Sequence, residues 1–222
     1  MVSKITTNVV WLKRDLRLSD HQPLTRAIKS GLTLLYYVFE PDLINDPHYD
    51  ERHWRFVWQS IEDINSQLAV LGSAVFVYFG DPVDGFNEIE KLFHVVGLFS
   101  HEEVGLQSTF SRDKLVKAWC VERSISWHES VTGAVIRGAK NRKNWDKYWH
   151  SIMQAPLNDP KLSSSALVGR RYIKELPDFN PPSCWSIAHP SMLKGGEAWA
   201  NRVLVSFLHG RGKSYHLNVS KP

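Results

Sequence analysis

Thr33-Leu34-Leu35-Tyr36-Tyr37-Val38-Phe39, then the stretch from Glu51 to Leu71, then Ala74-Val75-Phe76-Val77-Tyr78-Phe79: this succession decides the fold. The outer two stretches are short, apolar and rich in β-branched and aromatic side chains, as buried strands are. Between them Trp54, Val57, Trp58, Ile61, Ile64, Leu68 and Leu71 recur at spacings of three and four, which lays one wide apolar stripe along a helix. Working outward, further strand-like runs stand at 8–12, 96–100 and 126–129, and helix-like stretches at 82–93 and 108–123. Pro82 suits a first helical turn, where its missing N–H costs nothing. Hairpin-length turns are absent, so strands alternating with helices imply parallel pairing through right-handed crossovers.

The expectation for residues 1–136 is therefore an α/β layer, a doubly wound, Rossmann-like five-stranded parallel sheet with helices on both faces. Residues 137–194 differ: basic clusters (Arg137, Lys140, Arg142, Lys143), a short amphipathic helix at 144–153, then a Pro-, Ser- and Asp-rich run without sustained periodicity. This reads as a long connector wrapping the first domain. From Gly195-Gly196-Glu197 a helical pattern begins, with Trp199, Val203, Leu204, Phe207 and Leu208 on one side, and it stops at Gly210-Arg211-Gly212. A helix with nothing to face is read as the start of a truncated all-α domain over 195–222.

With 222 residues, 43% of them hydrophobic and 23% charged, the composition is that of a soluble globular chain of between one and two domains. No run approaches the ~18 apolar residues of a spanning helix, and the N-terminus lacks a signal-peptide pattern, so a cytoplasmic, non-membrane protein is expected; separately, a monomer is expected. Cys120 and Cys184 form neither a disulfide framework nor a metal-spaced cluster. The net charge of +4 conceals an asymmetry: thirteen basic against eighteen acidic residues up to Ile136, fourteen against five from Arg137 on. A basic C-terminal part suits a polyanion, and equally a solvated surface.

In an open parallel sheet, ligands bind beyond the carboxyl ends of the strands, where strand order reverses. The loops there hold Lys13-Arg14-Asp15, Glu40-Pro41-Asp42, Gly80-Asp81-Pro82 and Ser100-His101-Glu102-Glu103, with Phe39 as a stacking face. A guanidinium, several carboxylates and an imidazole suit a flat heteroaromatic ligand with polar edges. The same residues can also be read as pairing among themselves, with Glu102 and Glu103 placed where the following helix favours negative charge. Familiar catalytic patterns fail: there is no GxGxxG, GxSxG or HExxH, and Gly212-Lys213-Ser214 lacks the upstream glycine and strand of a phosphate-binding loop. His101-Glu102-Glu103 has no second histidine at helical spacing, so no metal is expected. Core packing accounts for the nine tryptophans.

Val10-Trp11-Leu12-Lys13-Arg14-Asp15-Leu16-Arg17-Leu18-Ser19-Asp20-His21, with Pro23-Leu24 after it, resembles the opening signature of the DNA photolyase/cryptochrome family. Tyr37-Val38-Phe39-Glu40-Pro41, Gly80-Asp81-Pro82, Ser100-His101-Glu102-Glu103, Gly133-Ala134-Val135-Ile136-Arg137-Gly138 and Gly212-Lys213-Ser214-Tyr215 extend the resemblance over essentially the whole chain. It implies an N-terminal domain holding a light-harvesting second chromophore (a folate, deazaflavin, FMN or lumazine) and a helical domain holding FAD and ultraviolet-damaged DNA. Arg14, Phe39, His101, Glu102 and Glu103 match positions of the antenna cleft, and Tyr215 matches a tyrosine near the FAD phosphates. Two departures bear on antenna identity. His53 stands where deazaflavin binders carry an arginine, and Val104-Gly105-Leu106 where folate binders carry an Asn-Glu pair. The resemblance implies a photolyase; a cryptochrome photoreceptor and a generic nucleotide-binding module are the alternatives.

Overall fold

A computed structural model of the chain describes residues 4–219. Five strands, β1 (Ile5–Trp11), β2 (Thr33–Phe39), β3 (Val75–Phe79), β4 (Phe93–His101) and β5 (Ser126–Ser130), form one sheet in the order β3-β2-β1-β4-β5. All pairings are parallel. The crossovers carry α1 (Gln22–Ser30), the short α2 (Pro41–Ile44), α3 (Glu51–Ala69), α4 (Pro82–Leu92) and α5 (Gln107–Glu122). Strand order reverses between β1 and β4, so the chains leaving these two strands diverge and open a crevice at the carboxyl edge.

Alternation along the strands builds a core on each face. On one, Val9, Trp11, Leu34, Tyr36 and Phe76 pack with Phe86 and Ile89 of α4 and Val116 and Trp119 of α5. On the other, Val10, Leu12, Leu35 and Tyr37 pack with Leu24 and Ala27 of α1 and with Trp54, Ile61, Ile64 and Leu68 of α3. Helix starts follow their caps: Asp81 accepts from the Val83 N–H ahead of Pro82, and Asp50 and His53 form a reciprocal capping box on α3.

The strand expected at 96–100 begins at Phe93, with no loop after α4, because the Phe93 backbone caps that helix and its residue pairs with Ile5. β1 likewise starts at Ile5 and ends at Trp11.

Beyond β5 come α6 (Trp145–Met153), α7 (Arg170–Ile173), α8 (Glu197–His209) and α9 (Tyr215–Asn218). Residues 166–170 are stitched to the amino ends of β2 and β3: Thr33 N–H donates to Ala166 O (2.9 Å), Val168 N–H to Thr33 O (2.9 Å) and Arg170 N–H to Gly72 O (2.8 Å). Leu167 and Val168 are thereby core residues, each on a different face. Leu167→Ala is expected to cost about 2–5 kcal/mol in a urea titration, the range for a buried Leu truncation; a loss under about 1 kcal/mol would show that this segment rests on the sheet without supporting it.

The start of α8 is also fixed. Gly195 N–H donates to Gln59 Oε1 (2.9 Å), Gly196 N–H to Ser60 Oγ (3.0 Å), and the Glu197 carboxylate accepts from Leu18 N–H (2.9 Å). A Cβ on Gly195 would lie 2.1 Å from Phe56 O, so only glycine fits there.

Candidate functional site

The loop after β1 begins with Lys13-Arg14-Asp15, and its three charges are committed in three directions. Lys13 Nζ reaches Asp113 Oδ2 of α5 at 2.8 Å and lies 4.4 Å above the Trp11 ring. Arg14 Nε reaches Glu103 Oε1 at 3.0 Å. Asp15 turns inward: its Oδ1 accepts from the Lys13 N–H (2.7 Å), and its Oδ2 lies 2.5 Å from His101 Nδ1.

Arg112 of α5 organises the other groups. Its guanidinium reaches Glu40 Oε1 (2.6 Å), Glu103 Oε2 (2.8 Å) and Asp113 Oδ1 (2.8 Å), and stacks 4.7 Å from the Trp11 ring. Three cations, Lys13, Arg14 and Arg112, thus balance Glu40, Glu103 and Asp113 in a largely buried network. Burial opposes the ionised form of Glu103, but Arg112 and Arg14 overcome it and hold its pKa below the usual value. At Glu40 burial prevails over Arg112 and raises the pKa. Burial also lowers the Lys13 pKa, in part offset by Asp113. Gly105 makes room for this arrangement, since a Cβ there would sit 2.5 Å from Arg14 Nη2 and 2.8 Å from Glu103 Oε1.

Over this network lies a cavity of about 600 Å³, bounded by β1 and β2, α3, and the start of α8. Trp11, Tyr49 and Trp54 give it aromatic sides. Among the polar groups of its lining residues, Glu40 Oε2 and the Tyr37 hydroxyl have no hydrogen-bond partner among the described residues. Burial raises the Tyr37 pKa, which keeps that hydroxyl a donor. The donor, the acceptor and the aromatic sides suit the edges and face of a flat heterocycle.

Asp15, His21 and His101 form a second, fully buried group whose ligating atoms lie within 4.8 Å of one another. Burial opposes ionisation of Asp15, but the His101 hydrogen bond and the nearby His21 ring overcome it and hold its pKa well below the carboxylate range. His21 Nδ1 accepts from the Leu24 N–H (3.1 Å), capping α1, so the hydrogen-bond network assigns the ring proton to Nε2, which stands 2.9 Å from Asp15 Oδ2 without the alignment of a hydrogen bond. A metal on Nε2 would force that proton onto Nδ1, against the Leu24 N–H. The donor set does not fit a metal; it orients His101.

The residues singled out from sequence are distributed as follows. Arg14 and Glu103 line the cavity, Arg14 with half its side chain in solvent. His101 lies behind them, toward β5. Glu102 sits at the rim, paired with Arg137 at 3.0 Å. Phe39 is a correction: it is fully buried, 5.0 Å from both the Phe179 and Trp185 rings, because residues 177–185 cover that end of β2. Tyr37, two residues earlier on the same face, takes the place expected for it. Tyr215 is exposed, its ring edge-on to Phe207 at 5.5 Å, and is not brought to the cavity. His53 lines the cavity wall while its Nδ1 accepts from the Asp50 N–H.

Sequence reasoning missed Arg112 and Asp113. The signal was present: with Thr109, Val116, Trp119 and Cys120 they continue one inward face of α5 at spacings of three and four, and charged groups there call for partners.

The DNA photolyase family model matches residues 8–150. The chain is 32% identical to cryptochrome DASH of Synechocystis over 160 residues, which covers 69% of this chain and 29% of that protein. It is 32% identical to cryptochrome-2 of Gallus gallus over 237 residues, 97% of this chain and 40% of that one. In fold it is similar to a Synechocystis cryptochrome (TM-score 0.70, 22% identity, 97% of this chain and 49% of that one). It is also similar to a photolyase of Sulfolobus tokodaii described as holding two FAD molecules (TM-score 0.65, 17% identity, 89% and 46%). The chain thus spans less than half the length of these relatives. With the family's model matched across the sheet and the crevice residues, the chain belongs to the DNA photolyase family.

Proposed function

We propose that this chain is the light-gathering part of a deoxyribodipyrimidine photolyase, a blue-light-driven flavoprotein that repairs pyrimidine dimers in DNA. The observation that carries this reading is the cavity of about 600 Å³ at the strand-order reversal, whose lining includes an unpartnered carboxylate oxygen and an unpartnered hydroxyl beside aromatic residues. A folate, deazaflavin, FMN or lumazine ring offers the matching N–H and C=O edges. When bound, such a pigment supplies absorption of near-ultraviolet or blue light and passage of that energy to FAD.

The chain's own part is to bind, orient and exclude water. Arg112 fixes Glu40 and Glu103 in place, Tyr37 donates from its hydroxyl, and Trp11 and Trp54 close the sides. In this reading FAD and the flipped-out lesion belong to a helical domain continuing from α8, with Tyr215 toward the FAD. The exposed Trp199, Leu204 and Leu208 of α8 support such a neighbour. Of the basic run, Arg137 is committed to Glu102 and Glu129, so an approach to DNA would rest on Lys140, Arg142 and Lys143.

A second reading, a cryptochrome photoreceptor without repair activity, is favoured by the names of both sequence relatives. With the helical domain present, light-dependent loss of thymine dimers from irradiated DNA is the expected result, and its action spectrum should follow the pigment as well as FAD. Dimers that persist despite bound FAD and illumination would favour the photoreceptor.

A further inference from the structure

A second cavity, of about 580 Å³, runs beside the outer edge of β3 and shares no lining residue with the first. We propose that this edge is a docking site for an extended peptide of another protein, which adds to the sheet as a further strand, sets apolar side chains into the cavity and carries lysine or arginine at the intervening positions.

The backbone supplies the first argument. β3 stands last in the sheet order and pairs with β2 alone. Along a strand of a parallel ladder, the N–H and C=O of successive residues turn to alternate sides. Gly80 N–H donates to Phe39 O of β2 (3.1 Å), while Val75 N–H turns the other way, to Asn65 Oδ1 (2.8 Å). Phe76 and Tyr78 therefore bond to β2. Val77 and Phe79 present their N–H and C=O outward, where no partner meets them among the described residues.

Side chains supply the second. Natural edge strands are blunted by charge, proline or cover. The opposite edge, β5, reads Ser-Trp-His-Glu-Ser, and its Glu129 pairs with Arg137 at 3.1 Å. β3 reads Val-Phe-Val-Tyr-Phe, with neither charge nor proline, and ends on a half-exposed Phe79. Ile44, Phe179, Pro182 and Trp185 line the cavity with Val77 and Phe79, and the Phe79 and Phe179 rings lie parallel at 5.9 Å. Strand addition uses this pairing of features: unpaired main-chain groups give affinity, and an adjoining pocket selects side chains.

Charge selects the occupant. Asp178 on the cavity lining and Asp81, two residues after β3, are exposed and have no ion-pair partner among the described residues, and no cation lines the cavity. A second copy of this chain, joined edge to edge about a two-fold axis, would bring the same carboxylates to both sides of the contact. A basic strand is instead drawn to them.

Fluorescence anisotropy with labelled peptides of about ten residues, titrated with the purified chain, tests this. A peptide alternating valine and lysine should bind at least about tenfold more tightly than one alternating valine and glutamate. N-methylation of the valine amides and of the lysine amides should differ, one abolishing binding and the other sparing it, because only one edge of an added strand faces β3. Val77→Pro removes an outward N–H and no ladder donor, so it should abolish binding with unchanged circular dichroism. Asp178→Lys should weaken the lysine peptide at least about fivefold. No binding of the lysine peptide, equal binding of the two peptides, equal effects of the two methylations, or a folded Val77→Pro that binds as wild type overturns the proposal. The methylated pair decides the matter even where Val77→Pro does not fold. A chain that sediments as a dimer, and as a monomer with Val77→Pro, would assign the edge to a second copy and overturn the proposal as well.

Discussion

Arg112→Ala is expected to destabilise the chain by about 3–5 kcal/mol and to abolish pigment retention. The first figure is the usual consequence of removing one partner from a buried charge pair, because the remaining charge stays desolvated. Here one carboxylate is stranded: Glu40 loses its only side-chain partner among the described residues, while Glu103 keeps Arg14 and Asp113 keeps Lys13. The second effect follows from geometry, since the Glu40 carboxylate on the cavity lining then loses the Arg112 contact that fixes it. Arg112→Lys should fall between, as a point charge cannot span three carboxylates. Arg137→Ala, at the partly exposed rim, should change stability by no more than about 1 kcal/mol. Urea midpoints and pigment stoichiometry report both effects; a loss below about 1 kcal/mol in Arg112→Ala would mean that the network does not organise the site.

Asp15→Ala is the second large effect, about 3 kcal/mol or more, since it leaves His101 and the Lys13 N–H without their acceptor. It also has a pH signature. A carboxylate whose folded pKa is depressed binds fewer protons in the folded chain than in the unfolded one, so it stabilises above the unfolded value, about 3.9. That contribution drains away as pH falls from there through the lower folded value. Asp15 is held well below the carboxylate range and Glu103 less far, so wild-type stability should fall steeply on acidification below about pH 4. In Asp15→Ala the slope of urea midpoint against pH should be shallower; an unchanged slope would place the acid sensitivity elsewhere.

The fold was legible where local pattern and burial agree. The run 33–39 is β2 residue for residue, and the stripe from Trp54 to Leu68 is the inner face of α3. It was least legible where one element passes directly into the next: Phe93 reads equally as the last apolar residue of α4 and the first of β4, and only pairing with Ile5 decides. The crevice was legible because strand order and the loops after each strand locate it before any contact is known. Its contents were less so. Phe39 appeared available because the rings that bury it, Phe179 and Trp185, stand some 140 positions later in a segment without periodicity. Arg112 meets Glu40 across 72 positions, a pairing that no local spacing encodes.

The first cavity, in this reading, holds a pigment. The near-ultraviolet and blue absorption of the purified chain, before and after denaturation, decides this, beside a Leu43→Trp variant, in which the larger ring on this α2 residue of the cavity lining fills the cavity. A folate, deazaflavin, flavin or lumazine spectrum is expected in the wild type, as purified or after incubation with the pigment, with its loss in a variant of unchanged circular dichroism. A wild-type chain that remains colourless with every one of these pigments, or a variant that retains as much as wild type, would contradict it.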